Sequence, residues 1–121
     1  MARIVVVEDD LDVARLLTTL LAEAGHTVHA AADGEEGVAL VQRVRPDLAL
    51  VDMTLPGAMD GLDVTRSIRA TDGLEQLPVW ALTARSRPED RQRGAEAGVS
   101  DYLVKPDGIA DLLPRIEALL R

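Results

Sequence analysis

Cysteine is absent from the 121 residues. That excludes a disulfide scaffold, a thiolate zinc site and cysteine catalysis, and leaves the compartment open because many cytosolic proteins need no cysteine. No apolar run approaches the roughly 18 residues of a membrane span, and Met1-Ala2-Arg3 leads into a strand-like run without a signal-peptide core. Positive charge is in deficit, with 13 basic against 21 acidic side chains and a net charge of −8. A chain of that sign is repelled by phosphate backbones and anionic lipid, so neither direct nucleic-acid binding nor membrane association is expected. Internal repeats, low-complexity tracts and linkers are also missing. The length suits one domain of about 100–200 residues, which leaves no room for a second catalytic or DNA-binding domain. Residues 1–121 are therefore expected to form one soluble, cytoplasmic domain without an effector domain.

What is present is alternation. Short apolar runs alternate with helix-period stretches five times, the pattern of successive βα units on a parallel sheet. Ile4 to Val7 is a β-branched run suited to a strand buried on both faces, and Leu11 to about Ala24 carries Leu17, Leu20, Leu21 and Ala24 at helical spacing before Gly25. Thr27 to Ala31 is a second strand. Asp33 to Glu36 is a capping box that opens a helix to about Val44. Leu48 to Val51 is the third strand, Leu62 to Arg69 the third helix, and Pro78 to Leu82 the fourth strand. Ser86 to Glu89 is a second capping box with proline in its first turn, and Gly98 ends that helix. Tyr102 to Val104 is the fifth strand. Pro114 requires the last helix to start late, with Asp111 as its N-cap, or to kink. The expected fold is α/β, with a five-stranded parallel sheet in the flavodoxin-like order 2-1-3-4-5 and helices on both faces. Ligands of such sheets sit beyond the carboxyl ends of the strands, at the switch point beside strands 1 and 3.

At that edge stand Glu8, Asp9 and Asp10 after the first strand and Asp52 after the third. Strands about 4.8 Å apart bring these carboxylates into one small volume, where like charge is costly unless a cation neutralises it. An all-oxygen, water-accessible site suits Mg²⁺ or Mn²⁺. Thr83 follows the fourth strand and Lys105 the fifth, adding a hydroxyl and a cation to the same edge. A carboxylate nucleophile, a metal, a hydroxyl and a lysine are what phosphoryl transfer onto an aspartate needs.

Over its whole length the chain resembles the receiver domain of two-component response regulators. Glu8-Asp9, Asp52, Thr83-Ala84 and Tyr102-Leu-Val-Lys105-Pro106 match that family's motifs, and their separations match as well. The resemblance implies that Asp52 is the phosphoacceptor, assisted by Thr83 and Lys105. It implies a metal held by Asp9, by Glu8 through water, by Asp52 and by the backbone carbonyl of Thr54, with Asp10 only a neighbour. It further implies a Thr83–Tyr102 switch and a cis peptide at Lys105-Pro106, which proline tolerates. Such a domain is a switch and not a turnover enzyme, phosphorylated by a sensor histidine kinase or phosphotransfer protein. It is read by a separate effector, as a monomer or a phosphorylation-dependent dimer.

Departures from the family pattern are specific. The Pro56-to-Gly61 loop is one residue longer than usual, Asp107 replaces an aromatic, and Arg85 stands two residues after Thr83, where slower self-hydrolysis is expected. Arg85, Arg87, Arg91 and Arg93 concentrate positive charge at the start of the fourth helix, which is either a solvated face or a patch for an acidic partner. The rival reading is a receiver-like module that works by contact alone, without phosphorylation. Asp10-Leu11-Asp12 resembles a haloacid-dehalogenase motif but belongs to a helix start in a chain too short for that enzyme. A flavin carrier is excluded by the acidic loop where a phosphate would bind. His26 and His29 flank the second strand, far from the switch point.

Overall fold

The computed structural model describes residues 2–84, 87–105 and 107–120. Five strands and five helices alternate: β1 (Arg3–Val7), α1 (Leu11–Glu23), β2 (Thr27–Ala31), α2 (Gly34–Val44), β3 (Leu48–Asp52), α3 (Gly61–Arg69), β4 (Val79–Thr83), α4 (Pro88–Ala97), β5 (Asp101–Val104) and α5 (Leu112–Leu119). All strand pairs are parallel and the order is β2-β1-β3-β4-β5, as the sequence predicts.

Two apolar layers hold the sheet, and successive β1 residues alternate between them as strand geometry requires. Val5 and Val7 join Val41, Val51, Val64 and Ile68 on the face covered by α2 and α3. Ile4 and Val6 join Leu17, Leu21, Leu50 and Ile116 on the face covered by α1 and α5. Burial on both faces is why the central strands read as unbroken apolar runs. The helix α4 differs, because its ten residues, PEDRQRGAEA, bury only Gly94 and Ala97.

Its C-terminal end is held from outside. Gly98 closes α4 with a φ of 103°, and the Arg69 guanidinium donates to the Gly98 carbonyl from Nε at 3.0 Å and Nη2 at 2.7 Å. Nη1 of the same arginine donates to the Leu74 carbonyl at 3.2 Å, so one side chain joins α3, the loop after it and the end of α4.

Helix starts depart from expectation in instructive ways. The Asp33 side chain accepts from the Glu36 N–H at 2.8 Å, one half of the predicted box, and among the described residues no bond from the Asp33 N–H to the Glu36 side chain completes it. By contrast α4 has Arg87 as N-cap with no side-chain bond, one residue later than the predicted box at Ser86, and Ser86 itself lies outside the described residues. Proline suits the first helical position, since its missing N–H is unneeded there, and Pro88 sets the start. The sequence reading missed a reciprocal box at α3, where Asp60 accepts from the Asp63 N–H at 2.9 Å and Asp63 accepts from the Asp60 N–H at 3.1 Å. The late start of α5 is as expected: a 3₁₀ turn over Asp107–Asp111 precedes it, and Pro114 falls in its first turn.

At the start of α3 the backbone runs close under β3. A Cβ on Gly61 would stand 2.4 Å from the Asp52 carbonyl oxygen and 2.6 Å from the Met53 Cα, and backbone cannot give way as a side chain can. Gly61→Ala is expected to lower unfolding stability in urea by about 1–3 kcal/mol, the usual cost of overpacking. Gly57→Ala, in open space but at a φ of +87°, is expected to cost less, about 1 kcal/mol.

Candidate functional site

The β1–β3 register pairs Val7 with Val51, so the residues that follow, Glu8 and Asp52, emerge side by side at the carboxyl edge. Both are buried, at 1% and 2% exposure, whereas Asp9 faces solvent. Asp10 is turned to the helix, its Oδ1 accepting from the N–H groups of Asp12 and Val13 at 2.9 and 3.2 Å as the N-cap of α1. From β5, Lys105 reaches across to the pair. Its Nζ donates to Glu8 Oε1 at 2.7 Å and lies 3.8 Å from Asp52 Oδ1. Asp52 Oδ1 also accepts from the Thr54 N–H at 3.1 Å and the Thr54 hydroxyl at 3.2 Å. Thr83, buried at the end of β4, accepts the Lys105 N–H on its carbonyl at 2.7 Å.

Two desolvated carboxylates side by side do not ionise alike. Burial pushes the Glu8 carboxyl up to about 7, with its hydrogen bond to Asp52 adding to the rise and Lys105 opposing it. Burial alone would raise Asp52 too. The Glu8 proton, the Thr54 N–H and the Lys105 charge outweigh it and hold Asp52 below the ordinary carboxylate range. Below that value Glu8 is the carboxyl that keeps a proton, and Asp52 is the one that carries the charge. Lys105 is more basic than usual: burial disfavours its charge, but Glu8 and Asp52 favour it more strongly.

Carboxylate oxygens of Glu8, Asp9 and Asp52 lie within 4.8 Å of one another. Three hard anionic donors with one open side fit a small divalent cation. Among the described residues no other such group of acidic, histidine or cysteine side chains forms. His26 accepts the Ala2 N–H on Nδ1 at 3.2 Å and stays at the opposite end of the sheet.

Tyr102 lies against α4. Its hydroxyl donates to the Arg91 carbonyl at 2.6 Å, and the Arg91 guanidinium stands 4.9 Å from its ring centroid. Burial raises the phenol above its ordinary range, with the Arg91 charge opposing. Between Tyr102 and Thr83 a cavity of about 190 Å³ remains, lined also by Met53, Leu62, Asp90 and Arg93. The charged side chains of Arg87, Arg91 and Arg93 are exposed along α4, and Arg93 turns into that cavity. Arg85 and Pro106, and with Pro106 the expected cis peptide, lie outside the described residues. The sequence reading missed Asp90 and Gly94 beside Tyr102; a glycine inside a helix, costing about 1 kcal/mol against alanine, was the available signal.

The family model of the response regulator receiver domain matches residues 4–117. The chain belongs to that family. This receiver domain is 43% identical over 119 residues to the transcriptional regulatory protein PrrA of Mycobacterium tuberculosis and to the response regulator MprA of Mycobacterium leprae. The match takes in 98% of this chain but 50% of PrrA and 51% of MprA, so the chain spans about half the length of those relatives. Among solved structures, the chemotaxis response regulator CheY4 of Vibrio cholerae superposes with a TM-score of 0.91 at 30% identity, covering 98% of both chains. The receiver domain of the sensor histidine kinase PA1611 from Pseudomonas aeruginosa superposes at 0.88 with 35% identity, covering 98% of this chain and 96% of its own. That structure has a magnesium ion coordinated in its active-site cleft. Receiver domains of response regulators are signalling switches that interact with histidine kinases. Among the described residues, no helix is long and apolar enough to cross a membrane.

The Glu8 proton has a thermodynamic consequence. The folded receiver binds it more tightly than the unfolded chain, so its contribution to stability is complete below pH 4.5 and is lost as pH rises to about 7. Asp52, lowered below 3.8, changes stability only at more acid pH and leaves this window to Glu8. In metal-free buffer the urea midpoint should therefore fall between pH 4.5 and about 7, and Glu8→Gln should flatten that fall. Saturating Mg²⁺ should oppose it, because cation and proton compete for the same carboxylates.

Proposed function

We propose that this receiver domain is a phosphorylation switch in the cytoplasm, with Asp52 as its phosphoacceptor. The observation that carries the reading is the cluster at the strand ends: a carboxylate oxygen of the buried Asp52 stands 3.8 Å from Lys105, and carboxylate oxygens of Glu8, Asp9 and Asp52 lie within 4.8 Å of one another. A carboxylate oxygen of Asp52 attacks the phosphorus of a histidine-kinase or phosphotransfer-protein phosphohistidine. The P–N bond breaks, the imidazole nitrogen leaves with the electron pair, and an acyl phosphate remains on Asp52. Lys105 neutralises one phosphoryl oxygen and the Thr83 hydroxyl donates to another. Glu8, Asp9, Asp52 and the Thr54 carbonyl would hold Mg²⁺ or Mn²⁺, which supplies charge neutralisation for the transferring group. Lys105 then exchanges its bond to Glu8 for one to the phosphoryl group, and drawing Thr83 inward gives Tyr102 room to turn.

The output is a population shift on the α4–β5–α5 face, read by an effector as a local charge change biasing a two-state element. Arg87, Arg91 and Arg93 make the α4 part of that face suited to acidic side chains of the effector. Water attack on phosphorus returns Asp52, so the domain resets without acting on any substrate but its own aspartate.

Intact mass after incubation with acetyl phosphate and Mg²⁺ is the test. One phosphoryl group should be added to the wild type, none to Asp52→Asn and none in EDTA, while Lys105→Ala should slow addition by roughly 10²-fold or more, the scale of losing one transition-state charge contact. An adduct on Asp52→Asn, or none on the wild type, would overturn the assignment and leave a module that acts by contact alone.

A further inference from the structure

The exchange of Tyr102 between two seats needs an acceptor for its hydroxyl in each, since a buried phenol O–H without a partner is costly. The seat it occupies is built by α4. Its hydroxyl donates to the Arg91 carbonyl, a neutral bond of 2.6 Å, and the Arg91 guanidinium covers its ring at 4.9 Å. Beneath it lies Gly94. A Cβ there would stand 2.0 Å from the Tyr102 hydroxyl oxygen and 2.9 Å from Cζ, so no larger residue leaves this seat open. The glycine is not required by the helix, whose backbone is regular at that point and would be more stable with alanine.

The second seat is the cavity between Tyr102 and Thr83. Asp90, one turn before Gly94 on α4, lines that cavity, and its Oδ2 is the one buried side-chain polar atom that has no hydrogen-bond partner among the described residues. A buried carboxylate oxygen without a donor is an unusual state, and a phenol is a good donor to it. Arg93 lines the same cavity.

We infer that α4 carries both seats of Tyr102: Gly94, with the Arg91 carbonyl, holds the ring on the helix, and the Asp90 carboxylate is the acceptor that receives the hydroxyl when the ring turns toward Thr83. The two acceptors belong to adjacent residues of one helix, so a single hydroxyl changes partner without leaving α4. The bond gained is charge-assisted where the bond lost is neutral. The cation–π contact of Arg91 and the fit over Gly94 weigh on the other side. Asp90 and Gly94 are in this sense positioning residues, acting through Tyr102. The inference deepens the proposed switch, and its first arm needs no phosphoryl group.

Tyr102 is the only tyrosine of the chain, so fluorotyrosine labelling gives one ¹⁹F environment to follow. A turned-in ring is recognised by a reduced solvent-isotope shift. In metal-free protein, Gly94→Ala should move the resonance toward the solvent-shielded state, and Arg91→Gln, which removes an exposed side chain and cannot threaten the fold, should do so to a smaller extent. In the Gly94→Ala background, and in wild type loaded with Mg²⁺ and beryllofluoride, Asp90→Ala should reduce the shielded population by roughly tenfold, the scale of a hydrogen bond to a charged group. Asp90→Asn, which keeps an acceptor oxygen, should restore part of it. A resonance unmoved by both Gly94→Ala and Arg91→Gln, or a shielded population indifferent to Asp90→Ala, would overturn the inference. Because phosphoryl uptake by Asp52 is read separately by mass, an inference that fails here leaves the proposed switch standing, and the reverse failure is equally visible.

Discussion

The close burial of Glu8 beside Asp52 is the constraint on which the site depends. Two carboxylates buried at 1% and 2% exposure cannot both hold a full charge, and the protein separates them by environment. Asp52 has the Thr54 N–H and hydroxyl on one oxygen and Lys105 near it, while burial raises the Glu8 carboxyl. Chemically alike side chains therefore arrive at unlike tasks. Lys105 crosses from the end of β5 to reach them, and its 2.7 Å bond to Glu8 Oε1 joins the ends of the first and last strands of the chain.

The sheet makes that meeting possible. Parallel registry sets Val7 against Val51, Asp52 against Leu82 and Thr83 against Val104, so four strands end within two residues of a common level and their ends share one rim. Apolar layers on both faces make this rim stiff. The helix beside it is the opposite in character, since α4 contributes no large apolar side chain to either layer. A rigid set of strand ends and a weakly anchored helix thus lie within the span of one tyrosine.

Most of the frame was legible in the sequence because parallel strands buried on both faces leave uninterrupted β-branched runs such as Ile4 to Val7. The acidic pair, Asp52, Thr83 and Lys105 were legible for a related reason: strand ends are fixed points, and the switch point says which ends meet. What was hidden depends on side-chain reach across elements. Nothing in the spacing of Arg69 says that it grips Gly98, nor in that of Arg115 that its Nη1 donates to the Tyr102 carbonyl at 2.9 Å while its guanidinium covers Trp80 at 5.1 Å. The Asp60–Asp63 box was overlooked because the aspartate at its third position stands where the usual pattern has glutamate or glutamine. The start of α4 was misplaced by one residue because a serine N-cap and a proline at the first position compete for the same register.

The grip of Arg69 on the Gly98 carbonyl makes α4 a lever with its fulcrum at the C-terminal end. Rotation about that fulcrum displaces each residue in proportion to its distance along the axis, at 1.5 Å of rise per residue. Ala97 would hardly travel, whereas Arg87 and the first turn of the helix would sweep the widest arc. The half of the helix that would move most carries Arg87 and Arg91 beside Glu89 and Asp90, so that what a neighbouring molecule would sense is a relocation of charged side chains more than a change in shape.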